Sequence, residues 1–212
     1  MSFTEKQIAE LGKPLNRAHV KPPAPGKYGD YIEGWRTIDE ANRIFGFDGW
    51  SRETIILAER HRELVTLTEK NGPYQQWRVA YEAKVRVVAG GIAREGTGFG
   101  HGQGKPEALG DAIESAAKEA ETDAMKRALM TFGNPFGLAL YDKTQANVAD
   151  LLPDEVEAML AAIRACDTVD QLMHWQRANG RAANATGYGA MLAGEWETRK
   201  AALDAVGALR AG

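Results

Sequence analysis

Thr122-Asp-Ala-Met-Lys-Arg-Ala-Leu-Met-Thr-Phe-Gly-Asn134 is the centre of a segment, Glu107 to Tyr141, around which the rest of the chain is organised. Ala108, Leu109, Ala112, Ile113, Ala116, Ala120, Ala124, Ala128 and Leu129 recur at three- and four-residue steps, the period of one buried helical stripe. The stripe is mostly alanine, so a flat partner, a β-sheet, can approach it closely. Two adjacent bases, Lys126 and Arg127, stand against this small-residue face. Gly133 and Asn134 stop the helix, and Pro135 prevents it from resuming.

Upstream the period changes to two. Thr54–Ala58 and Glu63–Thr68 are strand candidates, and Lys70-Asn-Gly-Pro73 is a turn. From Trp77 to Val88 the odd positions are apolar or aromatic, while Arg78, Glu82, Lys84 and Arg86 carry charge at even ones. Such alternation puts one face on the core and the other toward water or a ligand. Gly90-Gly91 makes a second turn, and Ile92 to Phe99 closes a meander. Strands followed by one long helix predict an α+β fold, an antiparallel β-meander packed on one α-helix in a β-β-β-α core. Gly96-Thr-Gly-Phe-Gly-His-Gly-Gln-Gly-Lys105 is read as a flexible strand-to-helix connection. A phosphate-binding loop is the tempting alternative, but Phe99 occupies the first glycine position of that motif and Pro106 its hydroxyl position.

Further out, residues 1–20 predict a short amphipathic helix around Gln7–Leu11. Lys21-Pro-Pro-Ala-Pro-Gly-Lys27 is a stiff extended connector holding two lysines. Thr37 or Asp39 is expected to cap a helix through Ala41, Ile44 and Phe45. Asp142–Asn147 reads as a linker, which divides the chain into a domain of residues 1–147 and a small helical module of residues 148–212. Within that module, Ala178–Gly189 is expected to be a loop rich in Gly, Asn and Ala.

Composition sets bounds on function. The chain has 212 residues, 44% hydrophobic and 26% charged, with a net charge of −3. Residues 1–149 carry 20 basic and 20 acidic side chains, and residues 150–212 carry 6 and 9, so the acidity lies in the C-terminal piece. A neutral N-terminal part still binds phosphate if its bases cluster. No apolar run approaches the roughly 18 residues of a membrane span. The first residues lack the basic-then-apolar order of a secretory signal. The single cysteine, Cys166, excludes an internal disulfide. A cytoplasmic protein is the expectation.

His19, His61, His101 and His174 have no metal-ligand spacing. Glu114, Glu119, Glu121 and Asp123 cluster on the long helix, which keeps a metal-dependent nuclease in view. The simpler account pairs Glu114 with Lys118 and Asp123 with Arg127 at i,i+4. A purely structural oligomer with internal ion pairs is a third reading. Lys84 and Arg86 on a strand beside Lys126 and Arg127 would make a groove for a phosphate backbone. Tyr31 and Trp35 would offer stacking surfaces for bases.

Several segments resemble the N-terminal annealing domain of the Rad52 family of single-strand annealing proteins. They are Tyr31-Ile-Glu-Gly-x-Arg36, Ala41-Asn42, Phe45-Gly-x-x-Gly-Trp50, Val85-Arg-Val87, Gly98-Phe-Gly100, Ala117-Lys-Glu-Ala120, Thr122-Asp-x-x-Lys-Arg-Ala-Leu129, Phe132-Gly-Asn134, Gly137 and Asp142-Lys143. They come in the family's order over residues 20–145. The resemblance implies an oligomeric ring that holds single-stranded DNA in a basic groove, bases outward, and anneals complementary strands in homologous recombination and repair. It implies no ATP, no metal and no covalent catalytic step.

Carried over by position, Tyr31, Lys126 and Arg127 fall on inner DNA-binding positions, and Lys21 falls where the family has an arginine. Met130 replaces a further arginine. Lys143 and, across a one-residue gap, Lys105 match an outer site, where Gln76 replaces a lysine. Residues 150–212 do not resemble the family's C-terminal region. They are read either as packing support or as a docking piece for a single-strand-binding protein, a recombinase, a nuclease or a partner subunit. The compact alanine-rich chain points to a bacterial or bacteriophage source, with a nucleoid-associated location.

Overall fold

The computed structural model describes residues 2–23, 25, 26, 28–70 and 72–211, without the side chains of residues 207–211. Lys27 of the expected connector and Asn71 of the expected turn lie outside the described residues. The elements run α1 (Glu5–Gly12), β1 (Leu15–Asn16), β2 (Val20–Lys21), β3 (Tyr31–Ile32), α2 (Gly34–Phe45), β4 (Trp50–Glu69), β5 (Gly72–Ala89), β6 (Ile92–Gly104), α3 (Leu109–Met130), β7 (Val148–Ala149), α4 (Asp154–Arg164), α5 (Val169–Ala185) and α6 (Gly189–Ala211). Two 3-10 turns, Asn134–Phe136 and Leu138–Tyr141, follow α3. The chain divides into two compact units, Met1–Asp150 and Leu151–Gly212. The division falls beyond the 147/148 boundary because β7 pairs in parallel with β1.

The core is the expected β-β-β-α arrangement: β4-β5-β6 form an antiparallel meander, and α3 packs on it. Val79, Ala83, Val85 and Val87 of β5 are buried, so the odd-numbered face meets the core. Gly90 and Gly91 both take positive φ, 57° and 77°, as a two-residue hairpin turn requires. The two expected strands at residues 54–58 and 63–68 are one continuous strand. Register shifts between Thr54 and Ile56 and between Glu59 and His61 break its alternation.

The glycine-rich stretch is not a connection: the strand expected at Ile92–Phe99 runs on through it to Gly104 as β6. Gly96, Gly98, Gly100, Gly102 and Gly104 occupy alternate positions and turn one face toward α3. Opposite them lie Ala112, Ala116, Ala120, Ala124 and Ala128, all fully buried. Two strand residues advance about 6.6 Å and four helix residues about 6 Å, so glycine and alanine stay in step along several turns. A β-carbon added at Gly98 would lie 2.5 Å from the Ala120 carbonyl oxygen, and one at Gly104 2.5 Å from that of Ala108. Only glycine permits this approach.

The other flank of α3 packs with α1 and α2. Phe45 stacks on Phe3 and Phe136 at 5.6 Å, and Phe132 meets it edge-on at 5.5 Å. Helix α2 starts earlier than expected, with Glu33 at its N-cap and no side-chain capping bond. Thr37 is buried inside it and donates to the Gly34 carbonyl at 2.7 Å. Helix α1 opens with a capping box between Thr4 and Gln7.

Helix α1 is also tied to α2 through Arg43, which bonds Glu40 at 2.8 Å and Glu10 at 2.6 Å. Burial alone would push the Glu10 carboxyl up, but hydrogen bonds from Lys13 and Arg43 outweigh it and hold the group below its usual value. A depressed folded-state pKa contributes stability above the unfolded value, and that stability is lost as pH falls through the folded one. We expect Glu10→Gln to cost about 1 kcal/mol near neutral pH. Urea unfolding should show the difference from wild type closing in acid.

The C-terminal unit has its own core of Val156, Leu160, Ile163, Leu172, Leu192 and Trp196. The Trp196 indole donates to the Leu172 carbonyl at 3.2 Å. The loop expected at Ala178–Gly189 is largely helix, since α5 continues to Ala185. Its alanines favour the helix, and Ala183 is buried in the core.

Candidate nucleic-acid interface

Tyr31 is placed by a short antiparallel pairing in which Val20 faces Ile32 and Lys21 faces Tyr31. Directly opposed side chains lie on the same side, so Lys21 and Tyr31 are neighbours. The next segment is pressed onto α3: a β-carbon at Gly34 would lie 2.6 Å from the Thr122 methyl. This close approach holds Tyr31 over the last turns of α3, where Lys126 Nζ stands 5.9 Å from its ring centroid.

Between these elements is a cleft of about 390 Å³. Tyr28 and Tyr31 line it from one side, Asp123, Lys126, Arg127 and Met130 from α3, and Phe136, Leu140 and Tyr141 from the turns after it. A larger recess of about 640 Å³ shares Tyr31, Asp123 and Lys126 and continues along α3 to Lys118, with Phe99 of β6 beside it. Together they form a trough along roughly 18 Å of helix. Tyr31 is 41% exposed, leaving ring surface for a ligand.

Arg127 Nε bonds Asp123 Oδ2 at 2.9 Å. That hydrogen bond and the carboxylate charge raise the guanidinium's proton affinity further. Among the described residues Lys126 makes no ion pair. Cation, aromatic ring and fixed guanidinium in one trough suit an extended anionic polymer with flat side groups.

The structure therefore brings Tyr31, Lys126 and Arg127 together in the cleft, with Lys21 next to Tyr31 in the strand pairing. It places Lys84 and Arg86 on the sheet face away from α3, where Glu95 bonds them at 2.6 and 2.7 Å. Lys105 follows β6 beside a separate shallow recess with Tyr74 and Pro106. Lys143 is exposed just after Tyr141, on a turn held by Asp142 bonds to Thr144. Trp35 does not line the trough: Arg36 covers its ring at 4.4 Å, and its indole donates to Glu33. Sequence reasoning missed Tyr28 and Tyr141. The chain brings them to the cleft through turns that carry no periodic signal.

A three-stranded meander under one long helix, with a cationic and tyrosine-lined trough at the helix end, defines a small α+β domain. Residues 4–155 match the model of the Rad52/22 family of double-strand break repair proteins, and the chain belongs to that family. It is 42% identical over 114 residues to the DNA repair and recombination protein RAD52 of Kluyveromyces lactis, covering 53% of this chain and 24% of that one. Against RAD52 of Saccharomyces cerevisiae the identity is 42% over 117 residues, 53% of this chain and 22% of that one. Against rad22 of Schizosaccharomyces pombe it is 36% over 124 residues, 56% of this chain and 24% of that one. The chain thus spans about a quarter of the length of these relatives. They are fungal, and the expectation of a bacterial or phage source is not borne out.

Proposed function

We propose that this chain binds single-stranded DNA in the trough and anneals complementary strands, without ATP or a metal, in recombination and repair. The observation that carries the reading is the convergence of Tyr31, Lys126 and Arg127 on one cleft, with Lys21 paired beside Tyr31. Bases on the protein hold the phosphates and release counterions. The strand stays extended, its base edges test a second strand, and duplex formation supplies the driving energy. No covalent step is needed. The nuclease reading asks Glu114 and Asp123 to hold a metal, but Lys118 and Arg127 already engage them.

Self-assembly into a ring or helical oligomer fits the sheet. Strand β4 is an edge and exposes Ile55, Ile56 and Leu57, which a second copy would cover. We assign DNA binding and assembly to the unit of residues 1–150, and to residues 151–212 a docking role toward other recombination proteins. Among the described residues no helix is long and apolar enough to cross a membrane. A cytoplasmic, DNA-associated location is part of the proposal.

The test is annealing of two complementary labelled oligonucleotides, without ATP or magnesium. Acceleration by the folded protein supports the reading, and its absence sinks annealing by this chain alone. Met130 lines the cleft without charge. Met130→Arg should add one phosphate contact and steepen the salt dependence of binding by about 0.7. Fluorescence anisotropy across a salt series checks it.

A further inference from the structure

We propose that Asp123 is a positioning residue for phosphate recognition, holding the Arg127 guanidinium by its Nε edge so that both Nη nitrogens are free for the ligand. This rests on the reading of the trough as a strand-binding site. Asp123 lies one helical turn before Arg127, and its Oδ2 is 2.9 Å from Nε. Among the described contacts, Nε is the only Arg127 nitrogen that is bonded. The Asp123 side chain is 32% exposed and that of Arg127 52%, so the carboxylate is the more anchored partner and the guanidinium the more available one. A guanidinium bound at Nε keeps the pair of Nη groups that grips a phosphate bidentately.

Asp123 lines both the cleft and the recess, so its own charge stands where a phosphate would pass. Two effects oppose each other. The negative charge repels the ligand, but at an open, wet trough that repulsion is screened by water and salt. The hydrogen bond orders a long side chain in advance, which would otherwise lose its freedom each time a phosphate binds. The geometry points to the second effect as the larger. It predicts that removing an acidic residue from the trough weakens binding of an anion.

The experiment is fluorescence anisotropy of a labelled oligothymidylate with wild type, D123A, D123N, R127A and D123A/R127A, with circular dichroism of each variant as the control of folding. We expect D123A to bind roughly fivefold weaker. D123N, which keeps an oxygen to accept from Nε, should stay within about twofold of wild type, since it also sheds the repulsive charge. In the R127A background, D123A should no longer weaken binding. Tighter binding by D123A than by wild type, or an equal loss with and without Arg127, overturns the role of Asp123. If D123A does not fold, R127K decides: a lysine keeps the charge but has no Nε edge to be held and no paired Nη groups, so it should bind severalfold weaker than wild type though tighter than R127A, whereas wild-type affinity in R127K overturns the proposal. Wild type that fails to bind overturns the strand-binding reading itself, a result distinct from any of these.

Discussion

Gly100→Val is expected to destabilise the N-terminal unit by at least about 3 kcal/mol, at or beyond the upper end of what overpacking usually costs. A β-carbon at Gly100 would stand 2.5 Å from the Ala120 nitrogen and closer still to the Ala116 carbonyl. Both are backbone atoms in the middle of α3, so no rotamer change relieves the clash. Relief requires lifting the helix, which opens the contacts at Gly98 and Gly102 as well. Gly110→Ala is the matched control, because a β-carbon there meets nothing within 4 Å and the residue is helical. That change should stabilise the unit by about 0.5–1 kcal/mol. Urea unfolding followed by circular dichroism separates the two, with the C-terminal helical unit as an internal reference. Equal midpoints for Gly100→Val and wild type would contradict the close helix-on-strand packing.

Lys126→Ala/Arg127→Ala should lower affinity for single-stranded DNA by roughly a hundredfold at low salt, the product of two charge-assisted contacts. The slope of log affinity against log salt should fall by about 1.4, since each phosphate contact on a single strand contributes about 0.7. Fold should survive, because Lys126 is half-buried, Arg127 exposed, and alanine favours the helix. Lys84→Ala/Arg86→Ala is the comparison. Glu95 bonds both side chains and Glu53 stands 3.9 Å from Arg86, so a much smaller loss is expected. Anisotropy titrations over a salt series decide, and an unchanged slope in the first double variant would remove the trough as the phosphate site.

The helix was legible because its buried face is written in alanines at a fixed step. Its strand partner was legible only in part: Ile92 to Phe99 was expected to close the meander, but its continuation to Gly104 was not, because a strand whose inner face is glycine has no hydrophobic alternation to read. What looked like a pliable connection is rigid by virtue of what packs on it. Strand β4 was read as two pieces because its bulges shift the pattern that marks a strand. Lys126 and Arg127 were visible as a pair with Tyr31 as a stacking surface, but the place of Lys21 beside Tyr31 came from the resemblance and depends on a two-residue pairing too short to leave a signature. Tyr28 and Tyr141 lie in turns. The i,i+4 spacing of Asp123 and Arg127 predicted their bond. It did not say that the guanidinium would face a cleft.

The glycine face of β6 has one more consequence. In glycine, a hydrogen on the α-carbon occupies the direction a β-carbon would take. At Gly98, Gly100, Gly102 and Gly104 that direction meets the carbonyl oxygens of Ala120, Ala116, Ala112 and Ala108. The helix therefore rests on its sheet through a row of carbon–hydrogen donors aimed at peptide oxygens, each worth about 0.5–1 kcal/mol. This attachment uses main chain on both sides and almost no side-chain oil. Its strength should change less with temperature than that of an interface of large apolar side chains, because the buried alanine methyls hide less apolar surface.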